Sequence, residues 1–518
     1  MNGFFYFAYE LIKTQNKIAV NGCQKPTAWK EGDTMLTTEE IKQFLDEDSA
    51  SELKKNARIG QKYYEAEHDI LRYKMYYYNG DGKLVEDTYR SNIKIPHPFF
   101  TELVDQAVQY ILSGKDGFVR SDDPQLQSEL DAYFNENEDF TAELSEVITG
   151  SMAKGYEYMY AYKNADDKLS FQCADCIGVT EVRAKDTDDQ CEYVIYRYID
   201  RIEKGKKVIH RVQVWDDKQT WYFVQLDNGH LELDESEKIN PKPHVIFSEE
   251  GSNDKYFEGF GFIPFFRLDN NKKRVSSLKT VKELIDDYDL MASSLSNNLV
   301  DFDTPIHLVK GFNGDNLDEI ITNLKTKKAI GVGENGDLDV KTVEVPYLAR
   351  KEKLELDEKN IYRFGMGLNT AGLKDTAATT NIAIKAAYSL LDLKASKFEI
   401  RLKQFMRKIL KPVLAEINDE KGTDYQMSQV YFRFDHEIMS NASENAQIAL
   451  NEAQKRQAEI NTLLGLADRL GNDLLMQLVC EQLDLDFEEI KSKLPDPDEA
   501  ANSLTGAAVG LAGMVIEE

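Results

Sequence analysis

Apolar side chains recur at helical spacing in two segments near the middle of this chain of 518 residues. Steps of three and four residues place side chains on one helix face, so the spacing predicts an amphipathic helix between Pro264 and Pro305. A second helical pattern covers residues 347–367, after an insert at residues 303–346. The apolar positions of the first helix are Val281, Leu284, Ile285, Tyr288, Met291 and Leu295.

The longest predicted helix runs from Asn381 to Lys411, because neither Pro nor Gly interrupts this segment. At about 1.5 Å per residue it spans roughly 45 Å. Pro412 predicts a kink near residue 408, since it removes one backbone donor and crowds the carbonyl four residues before it. One apolar stripe suited to packing contains Ala387, Leu391, Ala395, Phe398, Leu402, Phe405, Ile409 and Val413.

The same helix has a basic face. Eight Lys or Arg but only two acids, Asp392 and Glu399, lie between residues 381 and 411, although the whole chain carries a formal net charge of -28. Two interpretations are open: a solvated helix surface, or a surface that meets acidic partners such as neighbouring subunits or phosphates. The basic sector is formed by Lys394, Lys397, Arg401 and Lys408.

Alternating apolar and polar residues predict a β-rich block, with strands at residues 193–200, 206–216, 219–226 and 230–235. The turn at Asp227, Asn228 and Gly229 predicts that the last two strands form a hairpin. Helical patterns precede the block, and Thr37 with Glu40 has the spacing of a capping box. The insert has the mixed pattern of a small α+β unit.

Composition and charge limit the classes of protein to which the chain can belong. With 42% hydrophobic and 30% charged residues the chain has a soluble globular balance, and no apolar run approaches the roughly 20 residues that span a bilayer. Five cysteines without a regular framework indicate a reducing compartment. A pI near 4.8 argues against tight neutralisation of phosphates. The acidic surplus either lets DNA slide past a repelling surface or keeps a large assembly soluble.

No motif points to catalysis, a metal or a cofactor. Gly331 to Gly336 matches G-x-G-x-x-G, but a strand pattern follows where a dinucleotide site requires a helix, so a hairpin turn explains the match better. No P-loop motif occurs in the sequence. Cys173 and Cys176 form a C-x-x-C with no second pair or nearby His, and we interpret them as structural thiols. We therefore expect no enzyme activity.

Four stretches, taken in order, resemble the portal proteins of tailed bacteriophages, in the branch typical of siphophages of Gram-positive hosts. The first has a tyrosine pair before a short hydrophobic run, and the second has an Asn and an aromatic pair before a helix. The third is a helix with its lead-in, and the fourth is a small polar loop before a long helix. The likeness covers about residues 38–440 and rests on residues 60–73, 92–115, 263–302 and 368–406.

The resemblance implies an α+β, mainly α-helical portal fold with a β-rich wing block, assembled as a ring of about twelve subunits. The family layout would divide the chain into an N-terminal extension (1–34), a wing (35–272), a stem helix (273–302), a clip (303–346), a second stem helix (347–367), a tunnel loop (368–380), a long kinked helix with a wing return strand (381–440), crown helices (441–495) and a flexible tail (496–518).

The function that the resemblance implies is a channel at one capsid vertex, through which terminase packages DNA that later leaves towards the tail. The implied partners are further subunits, double-stranded DNA in transient contact, the large terminase subunit, the head-completion adaptor, and the major capsid and scaffolding proteins, with no membrane. The implied location is the virion vertex, and the host cytoplasm during assembly. Two alternatives stay open: another ring-forming virion connector, and a nucleic-acid-processing enzyme, which the missing catalytic motifs disfavour.

Candidate site residues follow from this layout. DNA contact is expected in the tunnel loop, at Asn369, Thr370, Lys374, Asp375, Thr376, Thr379 and Thr380. The alternative is a simple turn between helices with Lys374 in solvent. Partner docking is expected in the clip, at Lys325, Lys327 and Lys328. The alternative there is a lobe that only stabilises the ring.

Overall fold

A computed structural model describes two compact units, Met1–Asp375 with Ala387–Glu437 and Thr376–Ala386 with Ile438–Glu518. The residues described are 36–302, 306–310, 337–341, 346–370, 381–436 and 442–465, with four positions between 474 and 480, except for Tyr89, Asp116 and residues 165–166, 184–190, 204–206, 227–228 and 249–254. The predicted extension at residues 1–34 and the predicted tail at 496–518 lie outside the described residues.

Helices form much of both units. Thr37 caps the first helix, because its hydroxyl accepts from Glu40 N at 3.3 Å while the Glu40 carboxylate accepts from Thr37 N at 2.8 Å. Ser51 then ends this helix and caps the next one. The helices are α1 (Thr38–Ala50), α2 (Glu52–Tyr64), α3 (Phe99–Ile111), α4 (Pro124–Leu130), α5 (Glu138–Lys154), α6 (Lys282–Phe302), α7 (Tyr347–Gly365), α8 (Asn381–Lys421) and α9 (Ala442–Gly465).

All strand pairs in the described residues are antiparallel. The strands are β1 (Tyr76–Tyr78), β2 (Leu84–Glu86), β3 (Val119–Ser121), β4 (Tyr156–Lys163), β5 (Leu169–Ala174), β6 (Val179–Val182), β7 (Tyr193–Glu203), β8 (Lys207–Trp215), β9 (Gln219–Gln225), β10 (Leu231–Leu233), β11 (Lys242–Pro243), β12 (Val245–Ser248), β13 (Lys255–Glu258), β14 (Phe265–Asp269), β15 (Ile306–Lys310), β16 (Asp337–Lys341) and β17 (Val430–Phe432).

The largest sheet has the order β10-β9-β8-β7-β6, with β11 also paired to β9. Its two faces bury different side chains because successive residues of a strand point to opposite sides. Ile195 lies in one apolar cluster with Ile41 of α1, whereas Val194 lies in another with Tyr158 of β4. The β-rich block is therefore covered on one face by α1 and on the other by the sheet β14-β4-β5.

Helices α2 and α5 approach closely at Gly60. A methyl group at this position would lie 1.9 Å from the Ala153 carbonyl oxygen, so only glycine permits the contact. Ser276 Oγ donates to the same oxygen at 2.5 Å, which ties the segment before α6 to the end of α5. The lead-in to α6 is thus fixed by the packed core of the first unit.

Most of the predicted helices and strands that fall within the described residues are present. The β-rich block, the β9–β10 hairpin, the strand at Val430–Phe432 and the long helix are confirmed, and the long helix continues through Pro412 to Lys421. The helix predicted from residue 273 begins instead at Lys282, because the 3-10 turn Ser277–Thr280 occupies part of the predicted segment. The mixed α and β character is confirmed. Ring assembly stays a prediction.

The insert is described only at its two ends. Strands β15 and β16 pair in antiparallel register from Ile306 with Lys341 to Lys310 with Asp337, in agreement with the strand predicted after the glycine motif. The rest of the predicted α+β insert, at residues 303–305, 311–336 and 342–345, lies outside the described residues. Among the residues that are described, no helix has both the length and the apolar character needed to cross a membrane.

Candidate functional site

Helix α6 carries a buried polar stripe. Asp289, Ser293 and Asn297 are 0%, 2% and 9% exposed, and Asp301 continues the four-residue spacing. Residues four apart lie above one another on a helix, so these four side chains share one face. Buried polar groups require hydrogen-bond partners, and the partners here come from one segment of backbone.

The partner is the segment of residues 91–97, which we call the strap. Its backbone amides at every second residue donate to successive side chains of the stripe. The contacts are Ser91 N to Asp301 Oδ1 at 3.1 Å, Ile93 N to Asn297 Oδ1 at 2.6 Å, Ile95 N to Ser293 Oγ at 3.1 Å, and His97 N to Asp289 Oδ1 at 2.9 Å. Asn297 Nδ2 also donates to Ile93 O at 3.2 Å.

The two spacings match physically. Four residues of α-helix span about 6 Å, and two residues of extended chain span about 6.6 Å. Successive side chains of the stripe therefore lie opposite successive donating amides of the strap. Pro96 and Pro98 stand at the alternate positions, where no donor is required. Proline also disfavours helical backbone in the residue before it, which keeps Ile95 and His97 extended. The strap sequence is therefore suited to this helix face.

Asp289 connects the stripe to two histidines. Its carboxylate lies 2.6 Å from His68 Nδ1 and 2.8 Å from His97 Nδ1. Burial alone would raise the pKa of the Asp289 carboxyl, but the hydrogen bonds from His68 and His97 lower this pKa below its ordinary value. The carboxylate is therefore ionised and only accepts, so each Nδ1 is the donor. Tyr63 stacks on the His68 ring at 4.6 Å.

Aromatic rings join α6 to its neighbours. Tyr288 of α6 makes edge contacts with His97 at 4.8 Å and with Phe99 of α3 at 4.9 Å between ring centroids. Phe99 in turn contacts Tyr362 of α7 at 6.0 Å. Edge contacts of this kind add about 0.5–1.5 kcal/mol to burial. Helices α3, α6 and α7 thus form one packed group around the strap.

Helix α7 ends in a tightly held turn. Met366 adopts the left-handed conformation with φ 56°, and Gly367 N donates to Tyr362 O at 2.9 Å, which closes the helix. A methyl group on Gly367 would lie 2.2 Å from Leu103 Cδ2 of α3, so the turn packs directly on that helix. Tyr362 also donates to Glu102 Oε2 of α3 at 2.7 Å.

Gln106 fixes the residue that follows this turn, and Lys394 binds the end of α7. Gln106 holds both backbone groups of Leu368, because its oxygen accepts from Leu368 N at 2.9 Å and its nitrogen donates to Leu368 O at 3.0 Å. Lys394 of α8 donates to Gly365 O at 3.2 Å and to Leu103 O at 2.9 Å. Burial lowers the pKa of the Lys394 ammonium to about 8.

Lys394 corrects one expectation about the basic face. It was predicted to share an outward sector with Lys397, Arg401 and Lys408, but its ammonium is turned inward to two carbonyl oxygens. Lys397 and Lys408 are exposed, and Arg401 is partly buried. The predicted apolar stripe of α8 is confirmed, since its members from Leu391 to Val413 are buried.

The predicted DNA-contact residues fall at the edge of the described chain. Asn369 and Thr370 follow the fixed turn, and Asn369 Nδ2 donates to Glu358 Oε1 at 3.3 Å. The other predicted residues of the loop and of the insert lie outside the described residues: Lys374, Asp375, Thr376, Thr379, Thr380, Lys325, Lys327 and Lys328. The structure thus describes how the loop is anchored at its start.

Sequence reasoning missed the polar stripe and its strap. Only Val281 and Ile285 of the predicted apolar stripe are fully buried, and from Asp289 onward the buried positions are polar. The signal in the sequence is a polar residue at every fourth position, at Asp289, Ser293, Asn297 and Asp301. A search for an apolar helix face does not find this polar stripe, because it treats polar residues as exposed to solvent.

The cysteine pair lies beside a buried ion pair. Glu157, Asp175 and Cys176 offer ligand atoms within 4.8 Å of one another, but the Lys154 ammonium already contacts both carboxylates. Burial raises the pKa of the Cys176 thiol well above its ordinary value, so the thiolate that a metal requires is disfavoured. Cys173 lies in β5 and Cys176 in the following turn, and their role as structural thiols stays a prediction.

Comparison with known proteins identifies relatives. The family described as "Phage portal protein, SPP1 Gp6-like" matches residues 43–491. The "Portal protein" of Bacillus phage SPP1 is 26% identical over 370 residues, which cover 71% of this chain and 70% of that protein. The "Portal protein" of Clostridium phage phiCD119 is 26% identical over 415 residues, which cover 74% of this chain and 85% of that protein.

One solved structure, described as "Neck of empty GTA particle computed with C6 symmetry", has a chain with a TM-score of 0.35 to this protein. It is 13% identical, and the match covers 74% of this chain and 90% of that chain. A likeness at this TM-score supports no argument about the arrangement of the chain.

Lys394→Met tests the anchor of the loop through its pH dependence. The pKa of this lysine is about 8 in the folded chain and 10.5 ordinarily, so between these values the unfolded state binds a proton that the folded state has released. The free energy of unfolding of the wild type should therefore rise, relative to Lys394→Met, by about 1 kcal/mol per pH unit within this window. Urea unfolding at pH 7 and pH 9.5 measures the difference.

Lys397→Met is the matched control, because Lys397 is an exposed lysine on the same helix. The same urea unfolding of Lys397→Met at both pH values shows how much of the difference comes from removing an exposed lysine of this helix. A pH-independent difference for Lys394→Met would contradict the inward position of the Lys394 ammonium.

Proposed function

The chain belongs to the SPP1 Gp6-like family of phage portal proteins, and we propose that it forms the closed ring at one capsid vertex through which viral DNA is packaged and later ejected. The single observation that carries the proposal is the family match over residues 43–491, which includes both helices that flank the insert. Terminase, rather than this chain, supplies ATP hydrolysis in this role. The relatives named above are themselves portal proteins.

The stem of the proposed ring consists of α6 and α7. Ion pairs link them, because the Lys353 ammonium of α7 contacts Asp287 of α6 and also Asp357. The insert at residues 303–346 then forms the clip, and the β15–β16 pair closes its base. Lys325, Lys327 and Lys328 of the clip dock terminase and the head-completion adaptor. The major capsid and scaffolding proteins contact the ring during assembly in the host cytoplasm.

The loop at residues 368–380 faces the channel in this proposal. Its first residue, Leu368, is held at both backbone groups by Gln106, and Gly365 just before it is held by Lys394. A loop with a fixed start presents its small polar side chains at a defined place in every subunit. One Lys374 per subunit gives a weak, sequence-independent contact, because phosphates carry no sequence information. Its DNA-facing residues are Asn369, Thr370, Lys374, Asp375, Thr376, Thr379 and Thr380.

Purified protein should form a closed ring. About twelve subunits of 59.2 kDa would give a particle of roughly 710 kDa, since a head-to-tail contact that closes yields a cyclic oligomer. Native mass spectrometry gives the mass, and electron microscopy of the same sample gives the shape. A monodisperse species near 59 kDa at physiological salt would refute the proposal.

Lys374→Glu should lower the amount of DNA packaged without changing ring mass. The substitution turns a belt of single positive charges into a belt of negative ones, which repels the phosphate backbone. Packaged DNA is measured as nuclease-resistant DNA per particle. Lys374→Arg keeps the charge and should package normally. Normal packaging by Lys374→Glu in rings of normal shape would remove Lys374 from the mechanism.

A further inference from the structure

A basic cleft lies between β14 and α8. It has a volume of about 320 Å³ and is lined by Arg267, Asp269, Arg401, Gln404, Phe405, Arg407 and Lys408. Four of these seven side chains are cations and one is an acid. The buried Phe405 forms part of the lining, so the cleft has an apolar wall beside its cations.

Two of the lining charges neutralise each other. Arg267 donates to Asp269 Oδ1 at 2.8 Å and to Glu181 Oε1 at 2.6 Å, and these carboxylates hold the guanidinium in place. Burial opposes the charge on Arg267, but Tyr158, Glu181 and Asp269 outweigh it and raise the pKa of the guanidinium, so it is always charged. Arg267 therefore shapes the cleft, and the free positive charge comes from α8.

The α8 cations of the cleft have no carboxylate partner among the described residues. Arg401 donates to Gln404 Oε1 at 3.4 Å. The two acids of the basic half of this helix are engaged on another side: His436 lies 3.4 Å from Asp392 Oδ1 and 2.9 Å from Glu399 Oε1. Arg401, Arg407 and Lys408 are thus left as an unneutralised cluster in the described part of the chain.

We infer that this cleft binds the acidic surface of a second copy of the chain, as one side of the contact between neighbours in the ring. The inference rests on the proposed function, because it assumes that a ring forms. A contact that closes a ring joins two different patches of the same chain, so a basic patch requires an acidic one elsewhere on the neighbour. With a formal net charge of -28, every copy offers acidic surface in excess.

A second copy fits the cleft better than DNA. A duplex that must slide is opposed by binding to a cluster of three cations per subunit, since each phosphate contact adds affinity. Carboxylates on a neighbour do not have to slide past the cleft, and arginine binds them in a bidentate geometry.

The test is a triple charge reversal, Arg401→Glu with Arg407→Glu and Lys408→Glu, compared with a matched triple at exposed lysines outside the cleft, Lys272→Glu with Lys273→Glu and Lys279→Glu. Both change the formal charge equally. The wild-type mass is measured first, which tests the proposed function separately. The cleft triple should raise the subunit concentration for half assembly by roughly tenfold or more, because like charges then face each other. The control triple should assemble as the wild type does.

Two further measurements keep the outcome decisive. Circular dichroism shows whether each variant is folded. A variant that keeps the charges should assemble as the wild type does; it carries Arg401→Lys, Arg407→Lys and Lys408→Arg. Retention of a linear DNA duplex is measured on the same rings. Intact rings of the cleft triple would overturn the inference, and intact rings with lost DNA retention would assign the cleft to phosphates. A wild type that stays monomeric would overturn both this inference and the proposed function.

Discussion

The arrangement of the first unit depends on the buried carboxylate of Asp289. It accepts hydrogen bonds from two histidine rings and from the His97 backbone amide, and it is fully buried. A buried charge is tolerated only when such partners surround it, and loss of one partner typically costs several kcal/mol. Asp289 therefore sets where α6 lies against His68 and the strap. Ser293, Asn297 and Asp301 extend the same contact along the helix.

The contact continues from α6 to the start of the loop. The strap leads directly into α3, whose side chains Glu102 and Gln106 hold Tyr362 and Leu368. Lys394 completes the junction from α8. Each step is a hydrogen bond between a side chain and a defined backbone or side-chain atom, so the position of Leu368 follows from the position of α6. The proposed ring channel requires such a fixed attachment, because it must keep the same bore in every subunit.

The sequence predicts the elements of this fold better than their contacts. The spacing of apolar residues and the positions of proline and glycine identify the long helix, the β-rich block and the insert, because these signals are local in the sequence. The family resemblance is confirmed by the match over residues 43–491. The strap was not predicted, since its partners lie about 200 residues away in sequence, as in the Ile93 and Asn297 pair. The inward position of the Lys394 ammonium was also not predicted. Helical periodicity gives the direction of a side chain around the helix axis, but it does not show which neighbouring element lies in that direction.

Hydrogen exchange at single-residue resolution tests whether side chains of α6 hold the strap through its backbone amides. Exchange should be slow at the amides of Ser91, Ile93, Ile95 and His97 and fast at Asn92 and Lys94 between them. Asn297→Ala should speed exchange at Ile93 more than at any other strap amide. Equal exchange rates along the strap, unchanged by Asn297→Ala, would show that the side chains of α6 do not hold it.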